Sequence, residues 1–186
     1  MLLALFVTLL PVLFLGGLVQ KARAFRRRHI DMDGDPPISK ALFLSSKYTI
    51  VLVWGAMAVQ SWGVDLSFVD VPGPAKTVSV GLWILGFALL FSGRSILGDS
   101  FRIGSPREST GLKQTGLYRF SRNPMYVGVY TTLCAAVVGT LNPILLAAAA
   151  YVIAVHHRIV LAEEKQLRNA LGEEYRIYCR HVRRYV

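Results

Sequence analysis

Two polar clusters in the C-terminal half of the chain contain the residues best suited to chemistry. The first is the run TGLYRFSRNPMYVG at residues 115–128. Pro124 is expected to start a helix there, because the first turn of a helix tolerates proline. The unpaired N–H groups of that turn, beside Arg119 and Arg122, predict an anion-binding site, and the tyrosines of the run offer aromatic faces to an adenine ring or a cation. The alternative is a membrane-interface belt, where Tyr, Arg and Asn are also common.

The second cluster is RIVLAEEKQLRNALGEEYRIY at residues 158–178. Its adjacent Glu163 and Glu164 are costly if they enter a hydrocarbon region. On a helix the two point about 100° apart, so they cannot both face the interior. Glu164 has Arg168 one turn on as a surface partner, which leaves Glu163 to bind a cationic group of a ligand. The alternative is a solvated helix start with ordinary salt bridges.

These clusters are separated by apolar segments that predict an all-α, polytopic membrane protein of about five transmembrane helices. The chain is 53% hydrophobic, with a mean hydropathy of +0.44, and the apolar residues occur in blocks, which is typical of membrane spans. The first block is followed rather than preceded by a basic run, so it is expected to be a helix with its N-terminus outside and not a signal peptide. The first three predicted spans are 2–19, 41–62 and 76–92.

A hairpin is predicted from the apolar run at residues 125–155, interrupted by Asn142 and Pro143. One helix of that length would measure about 46 Å, too long for a hydrocarbon core of about 30 Å. Two antiparallel helices with a tip at Asn142–Pro143 return the basic C-terminal segment, residues 157–186, to the side of the membrane where the other basic segments lie. They also bring the two polar clusters together. Beyond the hairpin we expect a cytoplasmic helix, broken at Gly172, and a second, amphipathic helix on the membrane surface.

The charges fall where the positive-inside rule would place them. Residues 21–40, 93–125 and 157–186 hold six, six and seven Lys or Arg residues, nineteen of the 21 in the chain. Basic residues next to apolar blocks indicate cytoplasmic loops, and without a nucleic-acid motif they argue against nucleic-acid binding. The two cysteines and four histidines show no metal-ligand spacing, so no metal site is predicted.

Together the clusters resemble the isoprenylcysteine carboxyl methyltransferase and phospholipid methyltransferase family of integral membrane enzymes. The resemblance covers about residues 90–186. The chain divides accordingly into an N-terminal half of three spans (1–92), with a cytoplasmic loop at 21–40, and a catalytic half (93–186). In this division an interfacial loop starts at Gly93, and the hairpin spans 125–157. The matching residues are Leu97-Gly98-x-Ser100-Phe101-Arg102, Gly116-x-Tyr118-Arg119, Arg122-Asn123-Pro124-Met125-Tyr126-x-Gly128, Asn142-Pro143, Arg158-Ile159, Glu163-Glu164-x-x-Leu167 and Gly172-Glu173-Glu174-Tyr175-x-x-Tyr178.

The resemblance implies an S-adenosyl-L-methionine-dependent methyltransferase in the cell membrane, with its site on the cytoplasmic face. The acceptor would be a lipophilic or lipidated molecule, isoprenylcysteine-like or phospholipid-like, that enters from the bilayer. The implied catalytic residues are Arg158, Glu163 and Glu164. The implied cofactor-binding residues are Tyr118, Arg119, Arg122, Asn123, Pro124, Tyr126, Gly128, Glu163, Glu164, Tyr175 and Tyr178.

Two other functions remain open at the level of the sequence. A sterol-type membrane reductase shares parts of the C-terminal pattern but uses NADPH. A non-enzymatic membrane scaffold would tolerate replacement of the polar residues at the hairpin base. The doubled glutamate at residues 163–164 favours the methyltransferase over the reductase.

Overall fold

The fold is a bundle of helices. The structure, a computed structural model, describes residues 1–27, 38–98 and 112–186. Within these ranges it contains five α-helices, and a 3₁₀ turn at Gly116–Arg119 precedes the fourth. The helices are α1 (Leu2–Arg27), α2 (Lys40–Ser61), α3 (Gly73–Leu97), α4 (Pro124–Thr140) and α5 (Pro143–His181). The predicted all-α class is confirmed.

Four of the helices in the described ranges, α1, α2, α3 and α5, are long and apolar enough to cross a membrane. The fifth, α4, has 17 residues, which makes it about 25 Å long. It is therefore slightly short for a hydrocarbon core of about 30 Å, as expected for one arm of the predicted hairpin.

Two of the predicted span ends are wrong, since α1 continues to Arg27 and α3 to Leu97. A helix need not end with its apolar run, because long basic side chains can reach out of the bilayer while the backbone stays helical. Arg94, in the last turns of α3, donates a hydrogen bond to the carbonyl oxygen of Gly17 in α1 at 2.6 Å. Residues 93–97 are thus helix and not part of an interfacial loop. Residues 99–111 of that loop, and 28–37 of the loop predicted at 21–40, lie outside the described residues.

Helices α3 and α4 lie very close together because glycines face each other across their interface. A Cβ atom added to Gly128 of α4 would lie 2.9 Å from the carbonyl oxygen of Gly86 and 3.1 Å from the backbone nitrogen of Leu90. Within lipid no hydrophobic effect drives helices together, so their association depends on close packing, and small residues allow the backbones to approach. A hydrogen bond of 2.8 Å from the Ser79 hydroxyl to the Ala135 carbonyl adds to the contact.

The core is an aromatic cluster that joins α1, α2 and α3. The ring of Phe14 packs edge-on against Trp54 and Phe87, with centroid separations of 6.1 and 6.3 Å. The Trp54 indole N–H also donates to the hydroxyl of Thr132 in α4 at 2.9 Å. These contacts hold α2 against both α1 and α4, which matters because α2 forms one wall of the cavity described below.

The hairpin between α4 and α5 turns at the predicted tip. Leu141 has a left-handed backbone, and the Asn142 side chain caps α5 by accepting hydrogen bonds from the N–H groups of Ile144 and Leu145. Pro143 occupies the first helical position, where its missing N–H costs nothing. The Asn142 amide also donates to the Leu66 carbonyl at 2.7 Å, which fastens the tip to the loop between α2 and α3.

The predicted break at Gly172 is also confirmed. Its backbone has φ of 54° and ψ of −122° inside α5, a conformation that favours glycine. Beyond the break, Tyr175, Tyr178 and Val182 are buried together. Glu173 pairs with an arginine on the exposed face. The last segment is therefore two-faced, and its buried face closes one end of the bundle.

Candidate active site

A cavity of about 420 Å³ lies where all five helices and the 3₁₀ turn converge. Its size falls in the range of roughly 300–1,000 Å³ that is typical of ligand pockets. Its apolar lining comes mainly from α1, α2 and α3, and its polar lining mainly from the 3₁₀ turn, the start of α4, and α5. The lining residues with charged groups, amides, imidazoles or phenols are Lys47, Lys113, Tyr118, Arg122, Asn123, Tyr126, His156, Glu163, Glu164, Tyr175 and Tyr178.

Glu164 is the centre of a buried ion-pair network at one wall of this cavity. The residue is 4% exposed. One carboxylate oxygen accepts hydrogen bonds from Arg122 at 2.9 and 3.1 Å and from the Asn123 amide at 3.3 Å. The other oxygen accepts two from Arg184 at 3.0 and 3.1 Å. Both of its oxygens are therefore occupied by side chains of the protein.

The predicted surface pairing of Glu164 with Arg168 is wrong. Arg168 is exposed, and Glu164 instead turns inward to Arg122 and Arg184. A bidentate guanidinium pair out of water is a far stronger partner for a carboxylate than an exposed helical neighbour.

The same network fastens the C-terminal tail to the start of α4. The Arg122 N–H donates to the Arg183 carbonyl at 2.9 Å, and its guanidinium donates to the Val182 carbonyl at 2.7 Å. The Tyr178 hydroxyl donates to the Tyr118 carbonyl at 2.6 Å. Burial raises the pKa of the Tyr118 phenol, so this side chain is neutral at physiological pH. The segment after Gly172, whose Tyr175 and Tyr178 line the cavity, thus forms one wall of the site.

Glu163 occupies a different position on the cavity wall. Both of its oxygens lie 3.1 Å from the hydroxyl of Tyr126, which donates to them. The Tyr126 ring also packs edge-on against His156, with centroids 5.3 Å apart. A carboxylate held by one phenol, in a cavity that is otherwise largely apolar, is suited to bind a cationic group.

The structure brings together most, but not all, of the residues predicted for the site. Tyr118, Arg122, Asn123, Tyr126, Glu163, Glu164, Tyr175 and Tyr178 line the cavity. Arg158 and Arg119 are exposed and do not line it. Pro124 and Gly128 are buried outside the lining, where Pro124 starts α4 and Gly128 packs against α3.

Of the two arginines in the anion site predicted at the start of α4, Arg122 is engaged within the protein. Arg122 directs its guanidinium to Glu164 and to the Val182 carbonyl, while Arg119 is exposed and does not line the cavity. The nearby buried carboxylate provides the stronger partner for Arg122, since a charge removed from water needs a charged and hydrogen-bonded counterpart.

Four polar cavity or network residues were not anticipated from the sequence: Lys47, Lys113, His156 and Arg184. Lys47 reads as a lysine that reaches the membrane surface, and His156 as an isolated histidine in an apolar helix. Arg184 is separated from Glu164 by twenty positions, too far for any helical spacing to connect them. An intramembrane ionisable residue is by default a candidate for function, and that signal was available for both Lys47 and His156.

Fold and site together define an integral membrane protein with a ligand cavity inside its helical bundle. The phospholipid methyltransferase family matches residues 75–174, more than half of the 186 residues of the chain. The chain therefore belongs to the phospholipid methyltransferase family, and the resemblance seen in the sequence is confirmed. A comparison with curated proteins gave no match, and a comparison with solved structures gave none. The matched region contains α4, nearly all of α3, and α5 up to residue 174; α1 and α2 lie outside it.

Proposed function

We propose that this protein is an S-adenosyl-L-methionine-dependent methyltransferase whose acceptor is a lipophilic molecule that enters the cavity from the bilayer. The observation that supports this most is the composition of the cavity. The Glu163 carboxylate and several tyrosines share one cavity with apolar side chains of α1 and α2. A cationic, aromatic cofactor and a hydrocarbon chain can therefore lie side by side.

The residues present fit S-adenosylmethionine. Glu163 is placed to bind its sulfonium or amino group, because within the described residues the hydrogen-bond donor to its carboxylate is a neutral hydroxyl, that of Tyr126. Tyr118, Tyr175 and Tyr178 line the cavity with aromatic faces that suit an adenine ring. We assign Glu164 a positioning role, since its oxygens hold Arg122 and Arg184.

The chemistry asks little more of the protein than binding and alignment. When bound, S-adenosylmethionine supplies an electrophilic methyl group on a sulfonium. In-line displacement then depends on orientation and on exclusion of water. A carboxylate acceptor would arrive ionised and need only to be positioned. An amine acceptor must lose a proton, which Glu163 is placed to accept.

We further propose that the protein lies in the cell membrane with its N-terminus outside and the cavity mouth on the cytoplasmic face. The support is the charge distribution, since basic residues cluster next to the ends of α1 and α3 and in the tail. The tip at Asn142 and the acidic loop between α2 and α3 contact each other at the opposite end. The positive-inside rule then orients the bundle.

Titration calorimetry on the purified protein in detergent tests the cofactor. We expect S-adenosylmethionine and S-adenosylhomocysteine to bind with dissociation constants of about 1–100 μM, within the range in which enzymes meet their substrates. Binding of NADPH, with no binding of either sulfur compound, would replace this proposal with the sterol-type reductase. Absence of binding by all three would favour a scaffold.

A further inference from the structure

Helix α1 continues beyond its apolar run into a basic stretch. The apolar run ends at Val19, and residues 21–28 hold five Lys or Arg residues and no acidic residue. The helix itself persists to Arg27, so most of these charges lie on helical backbone. At 1.5 Å per residue, Arg23 lies about 6 Å past the apolar run and Arg27 about 12 Å past it.

These distances place the two arginines at the level of the lipid head groups. Each interfacial layer is about 5–8 Å thick, the difference between a bilayer of about 40–45 Å and its hydrocarbon core of about 30 Å. Arg23 falls within that layer. Arg27 lies beyond it, but Cα–Cβ bonds tilt toward the N-terminus of a helix, which for α1 is the direction of the membrane. The long side chain of Arg27 can therefore reach back to the phosphate groups.

One side of this extension is fastened to the end of α3. Lys21 donates a hydrogen bond to the Gly98 carbonyl, and its ammonium lies 5.1 Å from the centroid of the Phe25 ring. Phe25 is 4% exposed. One turn earlier, Arg94 of α3 donates to the Gly17 carbonyl. The extension is therefore held in place, and its other side faces outward.

The outward side carries two arginines on either side of a small residue. Arg23 and Arg27 are exposed and one helical turn apart, and with Gln20 and Ala24 they line a groove on the surface. Arg26 is also exposed. None of these three arginines forms an ion pair with a described residue. Two guanidinium groups and an amide beside a methyl side chain suit a phosphate, because arginine binds phosphate through paired hydrogen bonds.

We propose that Arg23 and Arg27, with Gln20, bind the head group of an anionic phospholipid of the cytoplasmic leaflet. Charge and depth both favour this occupant, since Lys and Arg clusters directly after a membrane span attract anionic lipids, by about fivefold in affinity for each residue. The site uses the proposed orientation of the bundle but does not depend on methyl transfer, and it lies outside the family match at residues 75–174. Because α1 also lines the main cavity, a lipid bound here would stabilise that wall.

Native mass spectrometry of the purified protein in a mild detergent tests the site. The protein is titrated with phosphatidylglycerol and, separately, with phosphatidylcholine of the same acyl chains, and the lipid-bound fractions give the dissociation constants. Phosphatidylglycerol is expected to bind at least about tenfold more tightly. Glycerol 3-phosphate and a hexaglutamate peptide, titrated in the same way, represent a soluble phosphate ester and an acidic protein segment. Binding of either one as tightly as phosphatidylglycerol would overturn the lipid as occupant.

Paired substitutions then locate the site. Arg23→Gln with Arg27→Gln is expected to weaken phosphatidylglycerol at least about tenfold and to leave phosphatidylcholine unchanged. Glutamine is a good helix former, and an unchanged Tm in phosphatidylcholine micelles confirms that the fold is kept. Lys165→Gln with Arg168→Gln removes the same charge from an exposed turn of α5 and should keep the preference for the anionic lipid.

Three results contradict the proposal. Equal affinity of the parent for the two lipids would show that there is no anionic lipid site. A preference that survives in Arg23→Gln with Arg27→Gln would exclude the groove on α1. An equal loss in the control pair on α5 would show that the lipid responds to net charge and not to this groove.

Discussion

Replacing Glu164 by glutamine should loosen the C-terminal tail from the bundle. The substitution keeps the shape of the side chain but removes its charge and places an amide N–H₂ against one of two guanidinium groups. Breaking a buried ion pair by removing one partner costs about 3–5 kcal/mol. Glu164 and Arg122 are well buried, with side chains 5% and 10% exposed, whereas Arg184 is 35% exposed and can be rehydrated. We therefore expect a loss near the lower end, about 3 kcal/mol.

This loss should appear as local opening rather than global unfolding, because the network joins the tail to the start of α4. The Arg122 amide is hydrogen-bonded to the Arg183 carbonyl, so its hydrogen exchange reports on that opening. At about 1.36 kcal/mol for each tenfold change, exchange of peptides that contain this amide should be about 100-fold faster in Glu164→Gln.

The matched control is Glu173→Gln, which removes a glutamate whose side chain is 58% exposed and paired with Arg176. Exposed pairs contribute little, so exchange at the start of α4 should stay within about twofold of the parent. Acceleration of less than about threefold in Glu164→Gln would refute the inference that this carboxylate holds the C-terminal segment to the bundle.

Three further predictions follow from the same contacts. Glu163→Gln should weaken S-adenosylmethionine binding at least about tenfold, because losing a carboxylate that contacts a cation away from water costs about 2–5 kcal/mol. Calorimetry that shows a change below about twofold would exclude this residue from the cofactor site. Gly128→Ala should destabilise the protein by about 2 kcal/mol and lower Tm by about 5 °C, because its Cβ would meet backbone atoms of α3 at 2.9 and 3.1 Å. The control Gly81→Ala adds a methyl group with nothing within 4 Å and should leave Tm nearly unchanged. In a variant without the native cysteines, Asp65→Cys should react with a membrane-impermeant maleimide from outside the cell and Glu174→Cys only after the membrane is opened; the reverse pattern would invert the proposed topology.

The helices and the hairpin could be predicted because membrane spans depend on local properties of the sequence. Apolar blocks, flanking charges and the Asn142–Pro143 pair are all visible within short windows. The ends of α1 and α3 were missed because a helix that leaves the hydrocarbon region keeps its backbone hydrogen bonds and needs no apolar side chains.

The inner details of the site could be predicted only in part. The prediction that Glu163 and Glu164 cannot both face the interior, made because adjacent residues of a helix point about 100° apart, is wrong, since both line the cavity. The burial of Glu164 could not be predicted, because Arg122 and Arg184 reach it from 42 and 20 positions away, and a single sequence shows no such pairing. In the sequence Lys47 reads as a lysine that reaches the membrane surface, because it lies near the basic end of the second span; the cavity beside Phe43 appears only when α1, α2 and α5 are assembled.

Methyl transfer itself is the most direct measurement of the central claim. Purified protein in lipid nanodiscs would be incubated with S-adenosylmethionine labelled in its methyl group and with a total lipid extract, and the organic phase would be separated and counted. We expect label to enter an organic-soluble product in proportion to time and protein, and S-adenosylhomocysteine to block its appearance. If folded protein binds S-adenosylmethionine but transfers no label to any component of the extract, the assignment of a lipophilic acceptor is contradicted. If both binding and transfer are absent, the methyltransferase assignment as a whole is contradicted.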